Sequence, residues 1–285
     1  MAREDMPMPG AEKPTSSSGC ASCALHNATN LRKLGVDPGG HDYIAAVAGN
    51  PNTGKSTVFN ALTGLRQHVG NWPGKTVGRA EGRFTFNEHT YKLVDLPGTY
   101  SLLSTSGDED VARDFLLFGN PDVTVAVVDS TRLERNLNLV LQILQVTSRV
   151  VVGLNLMDEA SRHGISVDTR HLARELGVPV AAMSARRGEG LADLLESVEQ
   201  VAAGRLACRG LRVRHDARLE DAVAGLARHL DREFRGLSNT RWIAMRLLEG
   251  DPAMERAVRD GTLGELSRSA VRRLELAATS PGPGS

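Results

Sequence analysis

The stretch Ile44–Thr57 (IAAVAGNPNTGKST) constrains the chain more than any other. A short apolar run ends in Gly49, and Gly54-Lys55-Ser56 then opens a helical pattern from Thr57 to Leu65. Strand, glycine-bounded loop and helix in that order are the setting in which GxxxxGK[ST] carries weight. Glycines let successive backbone N–H groups converge on a phosphate, and the helix N-terminus adds partial positive charge. Lys55 is placed to reach β/γ-phosphates, and the Ser56 hydroxyl to ligate Mg²⁺. Gly49, Asn50, Pro51, Asn52, Thr53, Gly54, Lys55, Ser56 and Thr57 are therefore the predicted nucleoside triphosphate loop. A chance glycine-rich turn is the bland alternative, and strand, lysine and serine together argue against it.

Downstream, strands and helices alternate. Gln67–Val77, rich in Gly and Pro, is expected to be a loop, and Arg79–Phe86 and Thr90–Val94 a strand pair around Asn87-Glu88. The second strand ends in Asp95-Leu96-Pro97-Gly98, where P-loop NTPases hold Mg²⁺ and sense the γ-phosphate. Gly107–Asp110 caps a helix through Phe118, and the apolar runs Val123–Val128 and Val150–Leu154 are strands around a leucine-faced helix, Asn136–Gln145. Ser166–Leu176 reads as helix, Pro179–Met183 as a short strand, Ser184–Gly190 as a loop and Leu191–Ala202 as helix. The pattern implies an α/β P-loop NTPase fold with a doubly wound, mostly parallel sheet and ligands at the carboxyl ends of its strands. Beyond about residue 205, Leu219–Phe234, Thr240–Leu248, Ala253–Arg259 and Leu266–Ala277 show helical spacing only, which predicts a small all-α domain.

Asn155-Leu156-Met157-Asp158, directly after a strand, selects the base. A carboxylate at Asp158 can accept from guanine N1–H and the exocyclic amine, a pair adenine lacks; leaving it unpaired costs about 1–3 kcal/mol or more. Ser184-Ala185 follows the next strand, where a backbone N–H could meet guanine O6. An Asx turn with a helix cap is the alternative for Asn155 and Asp158. The expected layout is a flexible tail over 1–40, a GTPase domain over 41–204, the helical domain over 205–279 and a flexible end over 280–285.

Composition bounds the partners. Thirty-four Lys+Arg offset 34 Asp+Glu in 285 residues, so no bulk charge favours nucleic acid or an anionic membrane. The longest apolar runs are strand-sized, short of the ~20 residues of a membrane helix, and residues 1–19 contain no secretory apolar core. Three cysteines make no disulfide framework, so the expectation is a soluble, cytosolic protein. Cys20 and Cys23 form a lone CxxC, with His26 as a conceivable third ligand and Cys208 apart. A reduced, exposed pair is the plainer account of them. The eight histidines show no paired spacing, so none is named as an iron ligand.

In order and spacing, GNPNTGKST, DLPG, NLMD and SA resemble a translation-factor-class GTPase domain. More narrowly, VGNWPGKTV (69–77), DLPGTYSL (95–102), DSTRLERN (129–136) and NTRWIAMRLLEG (239–250) resemble FeoB, bacterial ferrous iron transporters with an N-terminal cytosolic GTPase domain. The resemblance runs from about Tyr43 to the end of the helical region. It implies a slow, potassium-stimulated GTPase that switches Fe²⁺ uptake at the cytoplasmic face of the bacterial inner membrane. The implied cofactors are GTP/GDP, Mg²⁺ and K⁺. Implied partners are a transmembrane iron-permease region beyond residue 285, small Feo accessory proteins and further copies of the chain, with no nucleic acid.

The resemblance also assigns residues. Thr76 matches the first-switch threonine that ligates Mg²⁺ with Ser56, Asp95 holds the ion through water, and Gly98 donates its N–H to the γ-phosphate. Asn52 matches a K⁺ ligand whose shell is completed by carbonyls around Gly70–Trp72. Lys55, Thr76, Gly98 and Asn52 make up the implied catalytic set. The helical domain matches one named for slowing GDP release. Three departures stand out: Thr99 occupies the place of the glutamine that orients water in many GTPases, and Leu156 that of the lysine packed over the base. Pro73 and Lys75 replace smaller and aliphatic residues in the first switch. K⁺ is then expected to take the electrostatic role of an arginine finger, elsewhere worth ~10³–10⁵ in rate.

Trp72 is expected as a switch element or a packed loop aromatic, Trp242 as helical-domain core, and Asp108 and Glu109 as second-switch acids or a solvated helix start. A ribosome- or tRNA-associated potassium-dependent GTPase is the competing function. It needs a basic or aromatic module, whereas Asp216, Glu220, Asp221, Asp231 and Glu233 interleave the helical arginines.

Overall fold

The computed structural model describes residues 30–264, apart from 38, 65, 66, 104, 105 and 214. Seven strands form one sheet: β1 (Tyr43–Gly49), β2 (Gln67–Asn71), β3 (Gly78–Phe86), β4 (His89–Asp95), β5 (Val123–Asp129), β6 (Val150–Asn155) and β7 (Val180–Ala182). Their order is β2-β3-β4-β1-β5-β6-β7. The pairs from β4 to β7 are parallel, and β2 and β3 are antiparallel additions at one edge. Strand β1 is central, and its Ile44–Gly49 are buried on both faces, which is why it reads as an unbroken apolar run. This is the expected doubly wound P-loop NTPase sheet.

Helices α1 (Lys55–Thr63), α2 (Gly107–Asp114), α3 (Leu133–Val146), α4 (Met157–Arg162), α5 (Thr169–Leu176) and α6 (Leu191–Ala202) flank it. Two apolar layers result. One packs Phe59, Tyr91 and Leu194 against one sheet face; the other packs Phe115, Leu139 and Ile143 against the opposite face. Helices α7 (Ala217–Glu233), α8 (Thr240–Leu248) and α9 (Pro252–Arg259) follow. Asp216 and Asp251 cap α7 and α9 with their carboxylates, and Pro252 fits the first turn of α9. Trp242 is buried core, and Asn239 Nδ2 donates to Leu117 O at 3.2 Å, fixing α8 to the G domain.

Several boundaries differ from expectation. The Gly- and Pro-rich stretch after α1 is not all loop: Gln67–Asn71 pair with β3, from Gln67↔Gly82 to Asn71↔Gly78. Satisfying those backbone groups outweighs weak strand propensity. The tail assigned to 1–40 is too long, since Leu31 and Val36 are 1% and 0% exposed, each worth about 1.5–3 kcal/mol of burial. The helix ending near Phe118 widens to a π-turn over Phe115–Gly119, which turns Phe115, Leu116 and Leu117 into the core. Helix α5 starts at Thr169 rather than Ser166 because Asp168 caps it by accepting from His171 N–H. Helix α4 has no periodic signal, being only six residues long. The Cys20–Cys23 pair, the helix expected at Leu266–Ala277 and the end 280–285 lie outside the described residues. No described helix is long and apolar enough to cross a membrane.

Candidate nucleotide-binding site

The parallel strands deliver the predicted residues to one edge of the sheet. Gly49 ends β1 beside Val127 of β5, Asp95 ends β4, and Asp129 and Asn155 end β5 and β6 in register. The loop after β1 is braced from within: Thr53 Oγ1 donates to Asn50 O at 3.0 Å, and both residues are buried. Glycine is required at two points. A Cβ on Gly49 would stand 2.6 Å from Val127 O, and one on Gly54, at φ +82°, 2.3 Å from Asn155 Nδ2. Asn52 takes the left-handed conformation at φ 67°, which Asn tolerates better than most residues. It is exposed at the loop's crest, and Pro51 beside it is half-buried.

Lys55 and Asp95 meet directly, Nζ to Oδ1 at 2.6 Å, both largely buried. Burial pushes the Asp95 carboxyl above its usual range, while the Lys55 charge and hydrogen bond pull it back. Ser56 and Thr57 are exposed in the first turn of α1. Gly98 follows Asp95 and lies against Pro51: a Cβ there would be 3.4 Å from Pro51 Cα. Thr99 turns inward, its hydroxyl donating to Ser101 O at 2.6 Å and accepting from Ser101 N–H. It is 4% exposed and not disposed to orient a water.

At the base end, Asn155 is a brace. Its Nδ2 donates to Thr53 O at 2.9 Å, and its Oδ1 accepts from Ala185 N–H at 3.0 Å, tying the phosphate loop to the loop after β7. Of the two backbone N–H groups at Ser184-Ala185, that of Ala185 is thus held by Asn155, and that of Ser184 donates to Glu189 O at 3.0 Å. Asp158 N–H donates to Ser184 Oγ at 3.2 Å, and Met157 N–H to Met183 O at 3.3 Å. The Asp158 carboxylate faces Arg187 Nε at 3.3 Å and Arg162 at 3.7 Å. Both arginines are over half exposed, so they can yield to a guanine edge at little cost. Leu156 adopts φ 62° at the start of α4.

The first switch stands apart from this cluster. Trp72 is 3% exposed, packed edge-on to Phe115 at 5.6 Å with Arg79 over its ring. Lys75 pairs with Asp110 at 3.5 Å. Gly70 and Asn71 lie in the β2 ladder, and Trp72 O accepts from Lys75 N–H at 3.0 Å. Thr76 is exposed and makes no hydrogen bond among the described residues, and nothing joins it to Ser56 or Asp95. Ser56 and Asp95 are hard oxygen donors that suit Mg²⁺, and Asn52 Oδ1 suits K⁺. Among the described residues no hydrogen bond joins Thr76 or the Gly70–Trp72 carbonyls to Ser56, Asp95 or Asn52.

One important residue has no sequence signal. Gln142 of α3 accepts from Leu102 N–H at 2.7 Å and from Ser101 Oγ at 3.1 Å, gripping the loop after Gly98. It sits in a leucine-rich helix about 40 residues away, and only the fold brings the two together.

Comparison with known proteins agrees with this geometry. The family described as ferrous iron transport protein B matches residues 43–198, and the FeoB cytosolic helical domain matches residues 215–280. The Fe(2+) transporter FeoB of Salmonella choleraesuis is 40% identical over 207 residues, covering 71% of this chain but 26% of the relative. This chain thus spans about a quarter of that protein's length. The apo cytosolic domain of the T. maritima FeoB iron transporter superimposes with TM-score 0.68 at 38% identity, covering 79% of this chain and 86% of that one. Its GMPPNP form gives 0.69 at 35% identity, covering 82% and 96%. The P-loop, the aspartate and asparagine strand ends and the following helical domain are thus the parts of a known architecture, and the chain belongs to the FeoB family.

Proposed function

We propose that the chain binds GTP and hydrolyses it to GDP and phosphate, as a slow, K⁺-stimulated switch for a ferrous iron transporter. The observation that carries this is the convergence of Lys55, Asp95, Asn155 and Asp158 at one sheet edge, each held by hydrogen bonds or ion pairs spanning the loops. On binding, Lys55 exchanges Asp95 for the β/γ-phosphates, and Asp158 exchanges Arg187 and Arg162 for the guanine edge. Gly98 N–H meets the γ-phosphate. Ser56, Asp95 and, after switch movement, Thr76 would hold Mg²⁺, which supplies neutralisation of the phosphate oxygens. Asn52 would hold K⁺, which supplies positive charge where an arginine finger stands elsewhere. With Thr99 turned inward, the attacking water is oriented by switch backbone.

Family membership supports extending the proposal to an iron-conducting membrane part, accessory proteins, assembly into oligomers and a place at the cytoplasmic face of the membrane. The helical domain, fixed to the π-turn through Asn239 and Leu117, is suited to relay the nucleotide state and slow GDP release. Calorimetric titration of wild type and Asp158→Asn with GTP and XTP tests the guanine assignment. The variant is expected to lose GTP affinity and gain XTP affinity, because xanthine offers a carbonyl where guanine has its amine. Unchanged preference for GTP would contradict the assignment.

A further inference from the structure

A cleft of about 380 Å³ opens on the outer side of the phosphate loop. Residues 50–53 form one wall, Tyr100 of the second switch another, and Thr131, Arg132 and Arg135 at the start of α3 a third. Its lining mixes donors and acceptors, with Arg132 and Arg135 as its donor-only side chains. Asn50 is 3% exposed and its Nδ2 has no acceptor, an omission that costs about 1–3 kcal/mol in a buried amide. Arg132 and Arg135 make no ion pair among the described residues; Arg135 instead lies over the Tyr100 ring, 4.3 Å from its centroid. The two carboxylates of the cleft, Asp129 and Glu159, balance the arginines in formal charge but are already engaged. Asp129 accepts from Thr131 N–H at 2.8 Å and its hydroxyl at 2.6 Å, and Glu159 faces Arg162 at 3.7 Å. The N-terminus of the 14-residue α3 adds partial positive charge. These features together suit a small oxyanion.

The cleft also begins at a telling place. Gly98 abuts Pro51, and Tyr100 stands two residues beyond Gly98. The end of the phosphate loop that borders the γ-phosphate therefore borders the cleft.

We propose that this cleft receives the inorganic phosphate cut from GTP and is its way out while GDP is still bound. The inference rests on the proposed hydrolysis. In that step water adds to the γ-phosphorus and the bond to the β–γ bridging oxygen breaks. GDP keeps that oxygen, phosphate keeps the water oxygen, and a proton passes to solvent. The freed phosphate leaves the Lys55 side of the loop and meets Asn50, Arg132 and Arg135 on the other.

The test is the double variant Arg132→Gln/Arg135→Gln in a single turnover of GTP. Cleavage is followed by quenching and chromatography, and release by a fluorescent phosphate sensor. Inorganic phosphate is also titrated into the GDP complex by ³¹P NMR. Cleavage should stay within about twofold. Release should lag about tenfold behind wild type and phosphate affinity fall about tenfold, the size of one charge-assisted hydrogen bond. Arg132→Lys/Arg135→Lys should recover part of both, and GDP affinity checks folding. Equal release and equal phosphate affinity in wild type and double variant overturn the proposal. If no GTP is cleaved by either protein, the hydrolysis reading fails, and the phosphate titration alone decides the cleft.

Discussion

Lys55 Nζ stands 2.6 Å from Asp95 Oδ1, so the helix after the phosphate loop is tied to the end of β4 by one ion pair. The pair links the residue expected to bind phosphate with the one expected to hold Mg²⁺. Breaking it leaves a carboxylate that is already pushed upward by burial. Lys55→Met should therefore abolish GTP binding and destabilise the nucleotide-free protein by about 3 kcal/mol, seen in denaturant unfolding. Its Asp95 carboxyl should titrate higher still in ¹³C NMR, because Lys55 is what holds it down. The sign is that of a raised acid: the folded state keeps the proton longer than the unfolded one. Stability therefore falls as pH rises from the unfolded value of Asp95 to its higher folded value, above which the full cost of ionising it is present.

That pair was half legible beforehand. Glycine, lysine, serine and the strand-ending aspartate are local signals, readable because each depends on its immediate neighbours. The direct contact between Lys55 and Asp95 was not, since the sequence pattern describes both by their ligands. Asn155 was expected at the base and turns out to brace Thr53 to Ala185. Leu31 and Val36 looked like tail because two apolar residues make no period, and the core that buries them is built about 80 residues later. Strand β2 was obscured by Gly70 within it and Pro73 just beyond it; the low propensity of Gly70 is overruled by the ladder to β3.

The first switch is anchored by Trp72 on Phe115 and by Lys75 on Asp110. In the proposed bound state Thr76 joins Ser56, and that anchor is expected to loosen. With Trp242→Phe leaving Trp72 as the sole tryptophan, a non-hydrolysable GTP analogue with Mg²⁺ should shift its emission to the red. An unchanged spectrum would mean the anchor persists in the bound state. Lys75 is 41% exposed, so Lys75→Ala should alter stability by no more than about 1 kcal/mol while easing the shift.

Gln142 holds Leu102 N–H and Ser101 Oγ with a single oxygen. Gln142→Leu leaves both without that acceptor, a loss of about 1–2 kcal/mol for the second-switch loop. GTP turnover should fall about tenfold if that energy is spent in the transition state, while KM stays within about twofold. A change in KM alone would assign Gln142 to binding rather than positioning.

Tyr91 is fully buried, stacked on Phe84 at 4.7 Å, and its hydroxyl has no partner. Tyr91→Phe should raise stability by about 1 kcal/mol. Burial, with Glu199 adding to it, pushes the phenol up to about 12. An unfolded tyrosine ionises near ~10, so between these values the folded state binds more protons and stability falls as pH rises. Unfolding midpoints of the variant should be flatter over that window than those of wild type.

The most direct test of the account is GTP turnover in potassium chloride against sodium chloride, for wild type and Asn52→Ala. Asn52 is exposed at φ 67°, and the Thr99 hydroxyl is already bonded to Ser101 O at 2.6 Å. A stimulation by potassium of about tenfold or more, lost in Asn52→Ala with GTP affinity retained, is the expected result; an arginine finger supplies ~10³–10⁵. Equal turnover in the two salts, or stimulation that survives the substitution, would contradict it.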